Sequence, residues 1–319
     1  MEILAPAMDR EFEDWAILVD PPPVPEWTFF MEWLSSGRHG TLEYLERTAS
    51  RRRSLSDGYP GYRSLIFGLL PYDPRAFSPA PAQGQLEIAR YAVGEDYHVR
   101  FEKAFGRVLS EISHLFPAGE KALIKPDHGS ILEKSYAQMA GLGRIGKNTL
   151  LIHPGLGSWF TIGSLLLKTP LLEKISPLSG RDPCGTCSRC LEACPTNAFD
   201  APHLLDARRC LSYLTVERPG EGDATLRKSL GDRWLFGCDL CQEVCPHNAE
   251  HPSRNSGDDI SRFLSGDDPS ESDIRAFRAA HGALSRVSVR RLLERVAEAC
   301  RFRKEANAPE HGEKGPSPI

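Results

Sequence analysis

The sequence predicts an α+β fold, in which an N-terminal α/β sheet domain precedes a ferredoxin-like module and a short helical C-terminal segment. Three observations lead to this prediction. Helical periods alternate with short apolar runs up to about residue 168, which is typical of sheet domains covered by helices. Eight of the nine cysteines then fall between Cys184 and Cys245. Two more helical periods follow that block, within residues 270–301.

The composition bounds the possible classes of protein. With 40% hydrophobic and 26% charged residues in 319, the chain has the balance of a globular protein and enough apolar residues for a sizeable core. No apolar run approaches the roughly 18 residues of a membrane span, so we expect no membrane insertion. We find no targeting signal, and thiols grouped for metal binding indicate a reducing cytoplasm.

The charge pattern does not by itself indicate a nucleic-acid-binding protein. The net charge is −4, although local basic runs occur at residues 51–53 and near the C-terminus. The second run has a spacing that suits one side of a helix, and such a run is most often a solvated face; it comprises Arg286, Arg290, Arg291 and Arg295.

The chain divides into five segments in this interpretation. Pro21, Pro22, Pro23 and Pro25 cannot enter a helix interior, so we expect residues 1–27 to be an extended lead-in. The sheet domain follows at 28–175, the cysteine module at 176–255 and C-terminal helices at 256–304. The remainder, 305–319, is charged and proline-rich, which predicts disorder.

Within the first half of the sheet domain, helices are predicted at residues 30–34 and after Thr41, which could serve as an N-cap. An apolar run at 64–70 is short enough for a buried strand. Apolar residues recur at helical spacing over 96–116, which predicts an amphipathic helix packed on the sheet.

The second half of the sheet domain begins with a predicted strand at 122–124. Ser130 is then predicted to cap a helix, with Glu133 completing a capping box and Gly141 ending the helix. Two further apolar segments, 148–153 and 159–167, are joined by a hairpin or a short connection rich in glycine.

The cysteine spacing carries the most specific chemistry. Cys184, Cys187, Cys190 and Cys194 are separated by two, two and three residues, and Pro195 follows. This is the bacterial ferredoxin pattern, in which three thiolates hold one iron-sulfur cube and the fourth ligates another. The pattern therefore predicts a first [4Fe-4S] cluster and part of a second.

A second group of cysteines completes the set. Cys238, Cys241 and Cys245 with Pro246 repeat the end of the pattern, and Cys210 supplies the missing thiolate. Under the crossed arrangement of two-cluster ferredoxins, the first cluster has the ligands Cys184, Cys187, Cys190 and Cys245. The second has Cys210, Cys238, Cys241 and Cys194.

Two alternatives explain the cysteines less well. Structural zinc usually takes two separated cysteine pairs, and a third cysteine two residues after the second does not suit that arrangement. A disulfide framework is typical of short secreted chains. Cys300 lies far from the others on an arginine-rich predicted helix and is interpreted as an ordinary cysteine.

Two features that precede the cysteines in the chain each have more than one interpretation. Residues 141–147 meet the Gly-x-x-x-x-Gly-Lys spacing of a P-loop, but Asn148 stands where Ser or Thr should bind magnesium, and the segment follows a helix. A helix stop followed by a turn explains it equally well. Asp127 lies on a turn after a strand, where acids are more often turn residues than catalysts.

In combination, these motifs become specific. Over about residues 30–250, the chain resembles the epoxyqueuosine reductase family, cobalamin and iron-sulfur enzymes that complete queuosine in transfer RNA. The resemblance rests on the cysteine block with Arg209, Gly237 and Asp239, and on Trp33, Leu34, Gly37, Arg38, His39, Gly40, Tyr44, Leu45, Arg52, Pro60, Gly61, Ala89, Arg90, Tyr91, Asp96, Tyr97, His98, residues 127–129, 140–143 and 146–148, Gly157 and Ser158.

The resemblance implies a reaction and a role for Asp127. The clusters would pass single electrons to cobalamin, and cob(I)alamin would reduce the substrate epoxide to an alkene with loss of water. Asp127 matches the family's proton donor, and we expect its carboxyl to be desolvated, which would raise its pKa. Corrin contacts are implied for Arg52, Ala89, Asp127, Lys134, Gly146, Lys147, Asn148, Gly157, Ser158, Ser212, Asp239 and Leu240.

The implied partners are transfer RNA carrying epoxyqueuosine and an external electron donor of the flavodoxin or ferredoxin type, with the protein a monomer. The proline-rich N-terminus and the short C-terminal part depart from the family pattern, and the latter implies only a truncated form of the helical repeats that help to hold RNA. Two alternatives stay open: a corrinoid reductase of a small molecule, such as a halogenated compound, and an electron-transfer subunit.

Overall fold

The structure is a computed structural model that describes residues 3–72, 87–175, 182–217, 234–249 and 270–306, with side chains as far as 297. In the described part of the chain, no helix combines the length and apolar character that crossing a bilayer requires.

A four-stranded antiparallel sheet forms the centre of the first domain. Its strands are β1 (Asp14–Val19), β2 (Ser64–Pro71), β4 (Leu123–Lys125) and β7 (Phe160–Leu167), in the order β1-β2-β7-β4. Successive side chains point to opposite faces, so Ile66 and Leu165 enter one core while Leu65 and Leu166 enter the other. The sheet is therefore covered on both faces.

Helices α1 (Leu4–Glu11) and α5 (Tyr97–Ile112) cover one face of the sheet. The α5 helix begins after Asp96, whose side chain accepts a hydrogen bond from the His98 N–H at 3.0 Å. Gly163 of β7 lets the Phe101 ring approach the strand, because a Cβ at residue 163 would lie 2.3 Å from that ring. The start of α5 is thereby held against the sheet.

The prediction that residues 1–27 form an extended lead-in is wrong, because this segment contains α1 and β1. Leu4, Ala7 and Met8 are buried at helical spacing. Pro6 lies in the first turn of α1, where proline is tolerated. The proline run begins only after β1 has ended.

The other face of the sheet carries α2 (Trp27–Ser35), α4 (Leu55–Gly58) and α6 (Glu133–Met139). Helix α3 (Glu43–Arg47) lies between α2 and α4 in the chain and buries no residue. The N-caps predicted for α3 and α6 are wrong. The Thr41 hydroxyl bonds to Tyr213 Oη at 2.7 Å, and the Ser130 N–H donates to Tyr59 Oη at 3.0 Å. The N-cap positions are instead occupied by Leu42 and Leu132, without a side-chain hydrogen bond.

Three short strands complete this domain: β3 (Glu87–Ile88), β5 (Arg144–Ile145) and β6 (Leu151–Ile152). Strand β6 pairs with β5 and not with β7, so residues 153–159 are a short connection between two sheets. The connection brings Ser158 to the cysteine module, where its N–H donates to Asn248 Oδ1 at 2.7 Å.

The cysteine module consists of short elements. They are α7 (Arg189–Glu192), β8 (Phe199–Ala201), β9 (Leu204–Leu205), β10 (Trp234–Phe236) and α8 (Leu240–Glu243). A small core surrounds Leu211, Tyr213 and Trp234. Strand β10 pairs in parallel with β3, which attaches the module to the segment that leads into α5.

The C-terminal helices are present as predicted: α9 (Glu271–Ala280) and α10 (Val289–Ala306), with a 3-10 turn at Gly282–Arg286 between them. Ile274, Phe277 and Leu284 pack against Ile88 and Phe236. The predicted disorder from residue 305 is wrong for 305 and 306, which end α10; residues 307–319 lie outside the described part.

The predicted basic face of four arginines is also wrong. Arg286 lies in the 3-10 turn and not on a helix. Arg295 is on α10 but donates to the Trp234 carbonyl at 3.0 Å, toward the module. Arg290 and Arg291 remain as exposed arginines of α10.

Candidate active site

A cleft of about 230 Å³ opens where the sheet, α5 and α6 meet. Aromatic side chains form much of its wall, and Leu151 and Ile162 add apolar surface. Its polar lining includes Tyr72, Tyr91, Tyr97, Asp127, Glu133, Lys134 and Ser158. Such an apolar concavity with a few convergent polar groups is typical of a site for a cofactor or substrate.

Asp127 lies in this cleft within a chain of charged groups. Its Oδ1 lies 2.7 Å from His98 Nε2, and its Oδ2 accepts a hydrogen bond from the Tyr97 hydroxyl. On the other side of the ring, His98 Nδ1 lies 2.7 Å from Asp96 Oδ1. Two carboxylates therefore flank one imidazole, which can donate to both only when it is protonated.

The titration of His98 follows from this arrangement. Partial burial acts most strongly and lowers the pKa of His98, but the hydrogen bonds to Asp127 and Asp96 outweigh it, so the pKa lies above its ordinary value. His98 is thus more readily protonated than a free imidazole, and its Nε2 is in direct contact with Asp127.

The expectation that the pKa of Asp127 is raised is wrong for this arrangement. Desolvation is the largest influence and does raise the pKa. Hydrogen bonds from His98 and Tyr97, with the positive charges of His98 and Arg286, together lower it below its ordinary value. Asp127 is therefore ionised at neutral pH, and it is contacted by His98 Nε2 and by the Tyr97 hydroxyl.

Glu133 is a second acid in the cleft, although its position in the sequence indicates only a capping residue. Its Oε1 is buried and has no hydrogen-bond partner among the residues that the structure describes. Burial raises the pKa of Glu133 well above its ordinary value, which favours the neutral carboxyl. The adjacent Lys134 donates from Nζ to the Thr149 carbonyl at 2.6 Å.

The thiols predicted to bind the first cluster lie around one small cavity. Cys184, Cys187, Cys190 and Cys245 line it, together with Asn148, Arg189 and His247. Cys245 comes from the far end of the module, as the crossed arrangement requires.

The thiols predicted to bind the second cluster raise one another's pKa values. Burial raises the pKa of the Cys238 thiol to about 12, and the nearby Cys210 and Cys194 add to the shift. Burial likewise raises the pKa of Cys241, with Cys210 and Cys238 contributing. All eight cysteines of the module are free, so no disulfide forms among them.

The cleft lies directly beside this second group. Ser158, in the cleft wall, donates from Oγ to Gln242 Oε1 at 2.9 Å, and Gln242 follows Cys241 in α8. Asn148 Nδ2 donates to the Cys241 carbonyl at 3.4 Å. The wall of the cleft and the thiols of α8 are therefore parts of one packed unit.

Of the residues for which the resemblance implies corrin contacts, Asp127, Lys134 and Ser158 line the cleft. Lys147 and Asn148 contact the module instead, and Gly146 lies on the same turn just before them. The Lys147 N–H donates to Cys184 Sγ at 3.3 Å, and its Nζ donates to the carbonyls of Gly185 and Cys187 at 2.7 and 2.9 Å. This glycine-rich turn thus holds the first cysteine loop.

Gly157 packs where no side chain fits, since a Cβ there would lie 2.0 Å from Asn248 Oδ1. Arg52 is buried and donates to the Ile131 carbonyl at 3.2 Å, which braces the segment before α6. The Ala89 N–H donates to the Phe236 carbonyl at 2.7 Å. None of these three residues lines the described cleft.

The remaining residues of that set lie within the module. Asp239 is buried and accepts hydrogen bonds from the Arg90 N–H at 2.7 Å and from Gln242 Nε2 at 3.0 Å. Leu240 begins α8 and packs against the small core of the module. Ser212 precedes the π-helical turn at Tyr213–Glu217.

The roles of His98 and Glu133 were missed from the sequence. Asp96, Tyr97 and His98 stood out only as a motif at the start of a helix, and the motif gives no indication that Asp127 is their partner. Arg286 also reaches this cluster and donates to Asp96 Oδ1 at 3.2 Å, across 190 residues. No local signal identifies a contact so distant in sequence.

These features define a class: an iron-sulfur protein with eight cysteines in two crossed groups and an acid-bearing cleft beside one group. Comparisons with known proteins agree. Residues 183–248 match the family model of a 4Fe-4S double cluster binding domain, so this segment binds iron-sulfur clusters. Residues 52–124 match the model described as Epoxyqueuosine reductase QueG, DUF1730.

Curated relatives extend the match. The chain is 40% identical over 230 residues to the epoxyqueuosine reductase of Pseudomonas aeruginosa. The aligned region covers 71% of this chain and 62% of that protein. The chain is 36% identical over 224 residues to the epoxyqueuosine reductase of Leadbetterella byssophila, covering 68% and 69%. The chain belongs to the epoxyqueuosine reductase family. It spans less than two thirds of the P. aeruginosa relative's length.

Solved structures share the fold. An epoxyqueuosine reductase crystallised with an epoxyqueuosine-modified tRNA stem loop superposes with a TM-score of 0.78 at 21% identity, over 96% of this chain and 82% of that one. The enzyme from Streptococcus thermophilus gives a TM-score of 0.76 at 23% identity, with the same coverage.

Proposed function

We propose that this chain reduces the epoxide of epoxyqueuosine in transfer RNA to the alkene of queuosine, using two [4Fe-4S] clusters and cobalamin. Membership of the family supports the reaction. The observation that carries the proposal is the position of Asp127, in a cleft whose wall is bonded to the helix of Cys241. A proton source and an electron source are thereby adjacent.

The ligands of the clusters are proposed from the grouping of the thiols. Cys184, Cys187, Cys190 and Cys245 would hold the first cluster, around the cavity that they line. Cys194, Cys210, Cys238 and Cys241 would hold the second. Buried thiols with raised pKa values are neutral, so binding of iron would release protons.

The cleft residues fit a cobalamin. The buried, unpartnered Oε1 of Glu133 suits an amide donor on the corrin rim, and the tyrosine side chains offer flat apolar surface. Lys134 and Ser158 would add polar contacts from α6 and from the connection after β6. When bound, the clusters carry single electrons and the cobalamin supplies the two-electron reduction at the epoxide carbon.

The protein's own contribution is a proton for the epoxide oxygen. A proton moves from His98 Nε2 to Asp127 Oδ1, across the 2.7 Å contact, and the Asp127 carboxyl then donates it to the oxygen as the ring opens. His98 is reprotonated from solvent, and the same route supplies the second proton that lets the oxygen leave as water. The Tyr97 hydroxyl orients the carboxylate.

The remaining parts of the proposal concern partners. We propose that the protein is a cytoplasmic monomer that accepts electrons from a flavodoxin or ferredoxin type of donor. Arg290 and Arg291 on the exposed side of α10 would contact RNA phosphates, which predicts an affinity that falls as salt increases.

The test uses transfer RNA from a strain that accumulates epoxyqueuosine. Anaerobically purified protein, reconstituted with iron, sulfide and cobalamin, is supplied with a chemical reductant, and nucleosides are measured by mass spectrometry. We expect queuosine to appear with wild-type protein and not with Asp127→Asn. Bound cobalamin without queuosine would favour a small-molecule substrate, and failure to bind cobalamin would favour an electron carrier.

A further inference from the structure

The C-terminal segment contributes a side chain to the charged chain around Asp127. Arg286 Nη2 lies 3.2 Å from Asp96 Oδ1 and also contacts His98 Nδ1, and its guanidinium lies 5.3 Å from the centre of the Tyr97 ring. One arginine therefore touches all three residues of the motif that precedes the catalytic aspartate. This inference rests on the proposed function.

The backbone around Arg286 is fixed to the same motif. The Gly94 N–H donates to Nδ1 of the buried His281 at 3.0 Å, and the Gly282 N–H donates to the Gly94 carbonyl at 2.9 Å. Gly282 has no room for a side chain, because a Cβ would lie 2.7 Å from the Asp96 nitrogen. The turn that bears Arg286 is thus held in register with the start of α5.

Arg278 fixes the far end of the turn. It donates to the carbonyls of Leu284 at 3.2 Å and Val287 at 2.8 Å, on either side of Arg286. Ala283 and Leu284 are buried in the core that includes Ile88 and Phe236. An arginine held at both ends of its turn can keep one geometry toward its partners.

The position of Arg286 affects how easily His98 releases its proton toward Asp127. An imidazolium between two carboxylates would keep its proton, since both negative charges stabilise the charged form. A guanidinium that pairs with Asp96 cancels one of those charges and repels the imidazolium at Nδ1. The proton on Nε2 is then easier to release toward Asp127.

We propose that Arg286 is a positioning residue of the active site, which neutralises Asp96 and holds His98 so that its Nε2 proton passes to Asp127 Oδ1. In this transfer the N–H bond of His98 breaks and an O–H bond of Asp127 forms, with no change of redox state. The C-terminal turn thereby completes the site.

Other charged groups also face this network. Asp96 and Tyr97 come from the start of α5, and Asp127 and His128 come from the turn after β4, with the His98 and His128 ring centres 5.9 Å apart. Glu217 of the cysteine module acts on Asp127 and Arg286 at longer range. Arg286 is the arginine among them that contacts His98.

Three variants test the proposal: Arg286→Gln removes the charge, Arg286→Lys keeps it, and Arg275→Gln is the matched control. Arg275 lies on α9 in an exposed pair with Glu271. Iron content and melting temperature establish that each variant is folded. Turnover is measured with modified transfer RNA, and the titration of His98 is followed by NMR of labelled histidine in the cobalamin-free protein, with His98→Gln to assign the signal.

We expect Arg286→Gln to lower kcat at least about tenfold with KM little changed. Its His98 titration midpoint should move to higher pH, and Arg286→Lys should restore most of both values. A raised KM with unchanged kcat would mean that Arg286 binds RNA, and would overturn the proposal, as would an unmoved or lower midpoint. If wild-type protein does not form queuosine, the proposed function fails, while the NMR titration still tests the contact.

Discussion

The cysteine module and the sheet domain are stabilised in different ways. The module, residues 182–217 and 234–249, has regular elements of two to five residues and a small core. The sheet domain has strands of up to eight residues and two extensive cores. In the module the chain is arranged around groups that the thiols bind. In the sheet domain the fold arranges the reactive side chains.

The difference has a general lesson. A metal-cluster site can be predicted from the local spacing of its ligands, because those ligands must surround one cluster. A site made by tertiary packing brings together Asp96, Asp127 and Arg286 from three separate elements. No local sequence pattern shows that these residues meet.

The largest effect should follow from removing a ligand. Cys241→Ala deletes a thiol that we propose as a ligand of the second cluster, beside the cleft, so turnover should be abolished and iron should fall from about eight to about four atoms per chain. Iron analysis and electron paramagnetic resonance would measure this. Cys300→Ser, outside the pattern, serves as the control and should keep its full iron content.

In the sheet domain, the largest effect is expected from Asp127→Asn. It should keep both clusters and cobalamin but lower single-turnover reduction about 10²- to 10⁴-fold, because the epoxide oxygen would leave without a proton. Stopped-flow spectra of the reduced enzyme mixed with modified RNA would measure the rate. A wild-type rate in this variant would remove Asp127 from the mechanism.

Core packing in the sheet domain is tested by Phe101→Ala. Phe101 is fully buried between Gly163 and the Phe12 ring. Its removal should lower the free energy of unfolding by about 3–5 kcal/mol, as measured by urea denaturation. Val99→Ala on the same helix, where the side chain is exposed, should change stability little. Equal losses in the two variants would contradict this packing.

A smaller effect concerns pH. The pKa of His98 is raised above its ordinary value of 6.5, so the ring is protonated below that pH and loses its proton as pH rises through the raised value. Turnover should decline on this alkaline side by about tenfold per pH unit, because the proton supply to Asp127 is lost. In His98→Gln, the remaining activity should lack this decline. A pH profile of kcat measures both.

The smallest effect is expected at Lys147, which bonds to two carbonyls of the first cysteine loop. Lys147→Met should leave cluster content intact but make iron loss to a chelator a few-fold faster, roughly the effect of one charged hydrogen bond at a partly exposed site. Lys147→Arg should remain near wild type. If Lys147→Met loses iron no faster, the lysine has no such role.

The sequence allowed much of this structure to be predicted, for reasons that differ between regions. The double-cluster segment, β2 and α5 were predicted correctly, since spacing and apolar periodicity determine them, while the assignment of single cysteines to each cluster stays a prediction. The N-terminal helix and strand were missed because the proline run dominated the interpretation of that segment. The ionised state of Asp127 could not be predicted, because it depends on His98 and Tyr97, which only the fold brings near.

The position of Arg286 has a consequence for biosynthesis. Residues are made in chain order, and every cysteine of the module leaves the ribosome before this arginine does. A polypeptide that stalls short of residue 286 would lack the arginine that contacts Asp96 and His98, and with it a part of the core around Ile88 and Phe236.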